Sequence, residues 1–211
     1  MKDQRQENKA NFINKKCAVI VAHPDDETLW AGGLMLMNSD NDWTVVSCCR
    51  KSDPDRNPKF YKALAQYQAR GYMGDLNDSS DQQALNVVDV EDCIASLLPD
   101  ASYDLIFTHN IQGEYTHHRR HEEVSQAVVN LLTTFKLHTT ELWMFAYDDN
   151  KGNSYPKAIL RADLVIPLTK DLWKKKQMII TEIYGFQKNS WEEKTLPKTE
   201  SFWCFDLEDG Q

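Results

Sequence analysis

The chain has 211 residues, 41% of them apolar and 27% charged, with a formal net charge of −8. That length is enough for one domain with a sizeable core, and no apolar run approaches the roughly 20 residues of a membrane-crossing helix. The acidic balance argues against nucleic acid as the main partner, because phosphate binding needs a basic face.

The first sixteen residues are polar and lack an apolar middle, so they read as neither a signal peptide nor an anchor. Residues 1–14 are expected to be a flexible tail and 15–211 a single domain. Cys17, Cys48, Cys49, Cys93 and Cys204 form an odd set without CxxC spacing. Three of them sit in apolar runs, which implies buried free thiols and a cytoplasmic, reducing location.

Residues 17–22 form a short apolar run, as a strand buried on both faces does. A helix is expected from near Asp26 to about Met37, a strand over 43–49, a helix over 58–70 and a short strand over 72–76. The polar, acidic stretch 77–83 reads as a loop. A helix over 90–98 stops before Pro99, and 104–108 is a clear strand. From Arg119 to about Phe135, Val124, Val128, Leu131 and Leu132 keep the helical period. Strands over 141–146 and 163–167, a helix over 170–184 and a strand over 201–206 complete the chain.

This alternation implies an α/β fold, Rossmann-like, with a mainly parallel sheet and helices on both faces. In such sheets ligands bind at the carboxyl ends of the strands, where the winding reverses. With strand order 3-2-1-4-5, the segments that follow strands 1 and 4 meet at that point.

Those two segments carry the chemistry. The first strand runs into Ala22-His23-Pro24-Asp25-Asp26-Glu27, which sets an imidazole and several carboxylates at one sheet edge. After the fourth strand come His109, His117, His118 and His121, four of the six histidines in the chain. Catalytic zinc usually takes three protein ligands and keeps a fourth position open. His23 and Asp26, three apart across a strand-to-helix turn, can point at one metal, and His121 can supply the third ligand. Asp25 is then placed as a general base. His118, three residues before His121, shares its face and as an imidazolium can stabilise an oxyanion or protonate a leaving amine. The plainer reading of Asp25, Asp26 and Glu27, as a cap and first-turn acids, stands beside this one. Iron or cobalt can take the same ligands as zinc.

Other features have simpler readings. Gly32-Gly33 is no dinucleotide fingerprint, since GxGxxG is absent, and reads as close helix packing. Trp30 reads as core and His138 as an exposed loop residue. Arg119-Arg120 can meet an anionic substrate, whereas Lys174-Lys175-Lys176 reads as a solvated helix face.

The strand ending in His23-Pro24-Asp25-Asp26-Glu27, paired with His118-x-x-His121 far downstream, resembles the PIG-L/LmbE-like deacetylase superfamily. Gly113-Glu114-Tyr115 resembles that family's lead-in to its second motif, and the similarity extends from Lys16 to about Phe205. The resemblance implies a Rossmann-like fold and a zinc-dependent N-deacetylase acting on N-acetylglucosaminyl conjugates or related amides. It implies one Zn²⁺ per chain on His23, Asp26 and His121, Asp25 as base, and His118 assisting the tetrahedral intermediate. The second motif departs from the family's frequent His-Pro-Asp-His, reading His118-Arg119-Arg120-His121. Thr116 stands where some members carry a tyrosine, with Tyr115 beside it. Arg50, Arg56, Asn110 and Tyr115 are candidate substrate contacts.

The expected function is removal of an acetyl group from an N-acetylglucosamine-type sugar or glycoconjugate, with metal-activated water as nucleophile. The alternatives are a metallohydrolase of the same fold acting on a non-sugar amide, a non-catalytic small-molecule binding protein, and a nucleotide-binding Rossmann protein. The expected partner is a small-molecule glycoconjugate, with no nucleic acid and no membrane span. The sequence leaves the oligomeric state open, a homo-oligomer included.

Overall fold

A strand buried on both faces consists almost wholly of apolar residues, and the central strand of this chain is built that way. In the computed structural model, which describes residues 9–115 and 118–207, β1 (Lys16–Val21) reads KCAVIV and is buried from its second residue onward. It is followed by α1 (Asp26–Met37), β2 (Asp42–Cys49), α2 (Arg56–Tyr67), β3 (Arg70–Leu76), α3 (Val87–Leu97), β4 (Ser102–Thr108), α4 (Arg119–Thr133) and β5 (His138–Phe145). The remainder is β6 (Tyr147–Asp148), β7 (Lys157–Ala158), β8 (Leu164–Pro167), α5 (Lys170–Met178), a π-helical turn (Ile179–Ile183), α6 (Trp191–Thr195) and β9 (Thr199–Asp206).

The seven-stranded sheet has the order β3-β2-β1-β4-β5-β9-β8. Strands β1 to β5 are parallel, so the expected 3-2-1-4-5 order holds. β9 returns antiparallel between β5 and β8. The winding reverses between β1 and β4, where Ile20 lies opposite Thr108. Residues 22–25 and 109–115 therefore leave the sheet side by side at its carboxyl edge. The chain is a single α/β domain of Rossmann-like type, and no helix among the described residues is long and apolar enough to cross a membrane.

Alternation along each strand divides the core into two layers. Cys17, Val19 and Val21 of β1 join Trp30, Trp43, Phe107, Trp143 and Phe202 on one face. Ala18 and Ile20 join Ile94, Val124, Val128 and Leu131 on the other. Truncating a buried aromatic such as Phe107 to alanine would cost about 3–5 kcal/mol. The expected close packing at Gly32-Gly33 has a specific cause. A Cβ on Gly33 would run into the side chain of Leu168 and come within 3.0 Å of Glu200 Oε1. The same carboxylate accepts the Gly33 and Leu34 N–H groups at 2.7 and 2.8 Å.

Four expectations change. Residues 9–14 are no loose tail: Ala10 is buried, the Phe12 ring meets Trp43 and Trp143, and the Asn38 and Asn41 amides donate to Ala10 O and Phe12 O. Lys176 is not on a solvated face. It is fully buried and donates to Glu200 Oε1 at 2.6 Å, while Lys174 and Lys175 are exposed. α3 begins at Val87 because Asn86 caps it, accepting the Val88 N–H at 3.1 Å. The helix over 170–184 changes its winding at Ile179, where the Tyr184 N–H donates to Ile179 O; Tyr184 lies in the core.

Candidate metal centre

The turn after β1 is held by both flanking elements. The Ala22 N–H donates to Nε2 of His109, which follows β4, at 3.0 Å. The chain then passes Pro24 into Asp25, whose φ of +120° and ψ of −26° are sterically costly for a residue with a Cβ, on the order of 1–3 kcal/mol. Glu27 holds it there, its Oε2 accepting the Asp25 N–H at 3.0 Å. The other Glu27 oxygen accepts O–H from Thr28 at 2.6 Å and from Tyr184 at 2.7 Å. Because Thr28 donates to Glu27, Tyr67 donates to Thr28, at 2.8 Å. Asp25 makes no side-chain cap bond, so the plain capping reading does not describe it.

Three donor atoms converge beside this turn. His23 Nδ1 lies 3.2 Å from Asp26 Oδ2, His121 Nε2 lies 3.3 Å from His23 Nδ1, and His121 Nε2 lies 3.3 Å from Asp26 Oδ2. Ligands about 2.0–2.1 Å from a tetrahedral zinc stand roughly 3.3–3.4 Å apart. The three edges match that spacing, so the residues fit a zinc-sized divalent cation. The fourth side faces a cavity of about 240 Å³ lined by His23, Asp25, Asp26, Arg56, Tyr115 and His118, among others. His23, His118 and His121 also bring ligand atoms within 4.8 Å of one another, as do Asp26, His109 and His121. In the second group the His109 Nε2 lone pair is already occupied by the Ala22 N–H. Cys49 stands near His23 and Asp78, but burial pushes its thiol pKa up and keeps it protonated.

Carboxylates behind the donors fix which ring nitrogen faces the centre, as is usual for metal-binding histidines. Buried Glu114 receives His109 Nδ1–H at 2.9 Å and His121 Nδ1–H at 2.6 Å on one oxygen, and the Asn110 N–H on the other. In the neutral ring this leaves the His121 Nε2 lone pair facing inward. Asp78 does the same for His23 by accepting from Nε2 at 3.1 Å. Trp30 Nε1–H fixes the remaining Asp26 oxygen at 3.1 Å, so Trp30 is core with a role at the site. Burial opposes ionisation of Glu114, yet His109 and His121 hold its pKa down to about 2. Burial likewise opposes a charge on His121, but Asp26 and Glu114 push its pKa up to about 10. The acids thus create a strong demand for positive charge where the three donors meet.

Asp25 lies beside the donors. Burial, then the Asp26 carboxylate, raise its pKa well above the ordinary carboxylate value. Arg56 NH1 is 3.3 Å from Asp25 Oδ2, and its guanidinium sits 4.3 Å over the Phe186 ring. Burial, then His121 and His23, push the His118 pKa down to about 3. His118 is therefore a neutral imidazole in this setting rather than the expected imidazolium. Its Nδ1 is buried without a hydrogen-bond partner among the described residues. The Tyr115 ring packs at 5.4 Å from both His118 and His121.

The candidates His23, Asp25, Asp26, Arg50, Arg56, Tyr115 and His118 line one cavity, with His121 buried against His23 and Asp26. Arg50 donates to Asp78 at 2.9 and 2.6 Å, so it braces the carboxylate behind His23. Asn110 is not brought to this cavity. Its Oδ1 accepts the Gln112 N–H, and it lines a separate cavity of about 350 Å³ beyond Tyr115. Arg120 does not meet substrate either. It is fully buried and donates to Asn77 O and Gln83 O at 2.7 Å each, and pairs with Glu123. Thr116 and His117 lie outside the described residues. The residues that sequence reasoning missed are Glu27, Asp78, Glu114 and His109. Glu114 in the Gly113-Glu114-Tyr115 lead-in and the acidic run around Asp78 were the available signals.

No family model matches the chain. Uncharacterized protein L374 of Acanthamoeba polyphaga mimivirus is 23% identical over 153 residues, which are 65% of this chain and 64% of that protein. Among solved structures, a deacetylase in the biosynthesis pathway of teicoplanin superposes with a TM-score of 0.66 at 12% identity, covering 92% of this chain and 99% of that one. The A40926 pseudoaglycone deacetylase Dbv21 superposes at 0.62 with 14% identity, covering 92% and 99%. The chain has the PIG-L/LmbE-like fold. GalB, the 4-carboxy-2-hydroxymuconate hydratase of Pseudomonas putida KT2440, matches at 0.62 with 14% identity, covering 93% and 98%. One PIG-L/LmbE-like fold thus carries proteins named for deacetylation and for hydration.

Proposed function

We propose that this chain is a zinc-dependent hydrolase that removes the acetyl group from an N-acetylglucosamine-type sugar or glycoconjugate, releasing acetate and a free amine. The observation that carries the reading is the triangle of His23 Nδ1, Asp26 Oδ2 and His121 Nε2, with edges of 3.2–3.3 Å beside Asp25 and facing a cavity. The two deacetylases that share the fold support it.

His23, Asp26 and His121 would hold the cation, which when bound supplies Lewis acidity and makes water a better acid. Asp25 takes the proton from the attacking water at its carboxylate. Arg56 keeps Asp25 turned toward the cavity. Neutral His118 donates an N–H toward the oxygen that gains charge as the carbonyl carbon becomes tetrahedral. Tyr115 packs against both histidines and limits their movement.

The test is an acetate-release screen of zinc-loaded protein over N-acetyl sugars, glycoconjugates and N-acyl amino acids. Acetate from the sugar amides, lost in Asp25→Asn, is the expected result; release only from amino-acid amides would replace the substrate class. The GalB match favours a second reading, water addition to an unsaturated tricarboxylate. Loss of absorbance from a conjugated dienoate, without acetate release in the screen, would favour it.

A further inference from the structure

The metal cavity is small. At about 240 Å³ it lies below the roughly 300–1,000 Å³ typical of ligand sites, so a glycoconjugate must place much of its bulk elsewhere. Trp191, the first residue of α6, lines this cavity and also a second one of about 920 Å³ on its other side.

The second cavity is walled by the loop and strand over 152–158 and by the segment 194–199. It holds Lys157, Lys194 and Lys198 and no acidic residue, in a chain with 32 acids against 24 Lys and Arg. Lys157 and Lys194 are exposed and form no ion pair among the described residues. Lys198 Nζ lies 4.9 Å over the Trp173 ring. Three large hydrophobic residues left exposed, Tyr155, Leu160 and Trp191, converge on this one cavity. Thr195, buried in its wall, has an Oγ1 with no hydrogen-bond partner among the described residues. The cavity beyond Tyr115 differs, since Asp148 and Asp149 stand there beside Lys151 and Arg161. An apolar, aromatic wall rimmed by unpaired cations complements a hydrophobic group carrying negative charge.

We propose that this cavity is a second substrate subsite that takes a bulky, hydrophobic, anionic aglycone, an acidic aromatic or acyl group, while the amide is presented to the metal centre across Trp191. The proposal rests on the deacetylase reading for the word substrate; the binding site itself does not need it.

The test uses the full chain and two probes, 8-anilinonaphthalene-1-sulfonate and its uncharged counterpart N-phenyl-1-naphthylamine. Fluorescence titrations are run on Asp26→Ala protein, so that no metal or turnover is involved. The sulfonate probe should bind one site, and Lys157→Glu with Lys194→Glu should weaken it at least tenfold while changing the neutral probe less than twofold. Lys157→Arg with Lys194→Arg should restore the sulfonate affinity, which a misfolded variant could not do. Equal response of the two probes to charge reversal, or no binding of the sulfonate, overturns the subsite. In unmutated protein, an N-acetylglucosaminide with a carboxyphenyl aglycone should then exceed the methyl glycoside at least tenfold in kcat/KM, mostly through KM. No acetate from either, with the sulfonate still bound, would sink the deacetylase reading and leave an anion-binding cavity. Acetate from both at equal kcat/KM would sink the subsite as a substrate site and leave the deacetylase reading.

Discussion

The two sides of Trp191 are built in opposite ways. On one side, the donors and acids at the β1 and β4 edge are buried and hydrogen-bonded to one another: Asp26 to Trp30, His121 to Glu114, His23 to Asp78, Asp25 to Glu27. On the other side, Lys157 and Lys194 are exposed and unpaired among the described residues, and the wall includes a two-residue strand and a five-residue helix. A reacting centre gains from preorganisation, because groups already aimed need no rearrangement as charge develops. A surface that selects a substrate gains from side chains free to meet a ligand. The interlocked donors therefore sit where long elements begin and end, and the unpaired lysines on short late ones.

The contrast can be broken at the rigid side first, where the largest effects belong. Asp26→Ala should leave dialysed protein without stoichiometric zinc and reduce acetate release to background; full metal content by elemental analysis would remove Asp26 from the ligand set. Asp25→Asn should keep its zinc and lose about 10²–10⁴-fold in turnover. Unchanged turnover with full metal would refute Asp25 as the base. Glu114→Gln should weaken zinc affinity about 10–100-fold by loosening the His121 tautomer, read by competition with a chromogenic chelator.

That variant also has an acid signature. The folded Glu114 value of about 2 lies below the unfolded value near 4.3. Its stabilisation, about 3 kcal/mol, is thus complete above the unfolded value and is lost as pH falls toward 2. Metal-free Glu114→Gln should show a flatter stability profile across that window in urea titrations; an unchanged profile would deny Glu114 its charge. The smallest effect is expected at Tyr184→Phe, which removes one donor from Glu27 and should cost about 1–3 kcal/mol of stability. Turnover should fall a few-fold with zinc content intact, because Glu27 holds the Asp25 backbone. A loss of zinc instead would assign Tyr184 to the metal side.

The parallel half of the sheet was legible because strands buried on both faces must be written in apolar residues, as in Cys17–Val21 and in Leu105–Phe107. The meeting of His23, Asp26, His118 and His121 in one candidate site was legible because His23 with Asp26, and His118 with His121, are close in sequence. The groups that aim those ligands were not, since their meaning lies in partners far along the chain: Asp78 meets His23 and Tyr184 meets Glu27 only after folding. Lys176 looked solvated for the same reason, its partner Glu200 being on β9. The region 147–199 was the least readable, because β6 and β7 are two residues each and carry no periodicity.

The buried guanidinium of Arg120 has a distant consequence. It ties α4 to the 77–83 loop through Asn77 O and Gln83 O, and that loop carries the carboxylate that orients His23. On the proposed reading, a substitution at Arg120 would weaken the hold on the cation from a distance, so added zinc would offset it, whereas a substitution at Asp25 would not be offset.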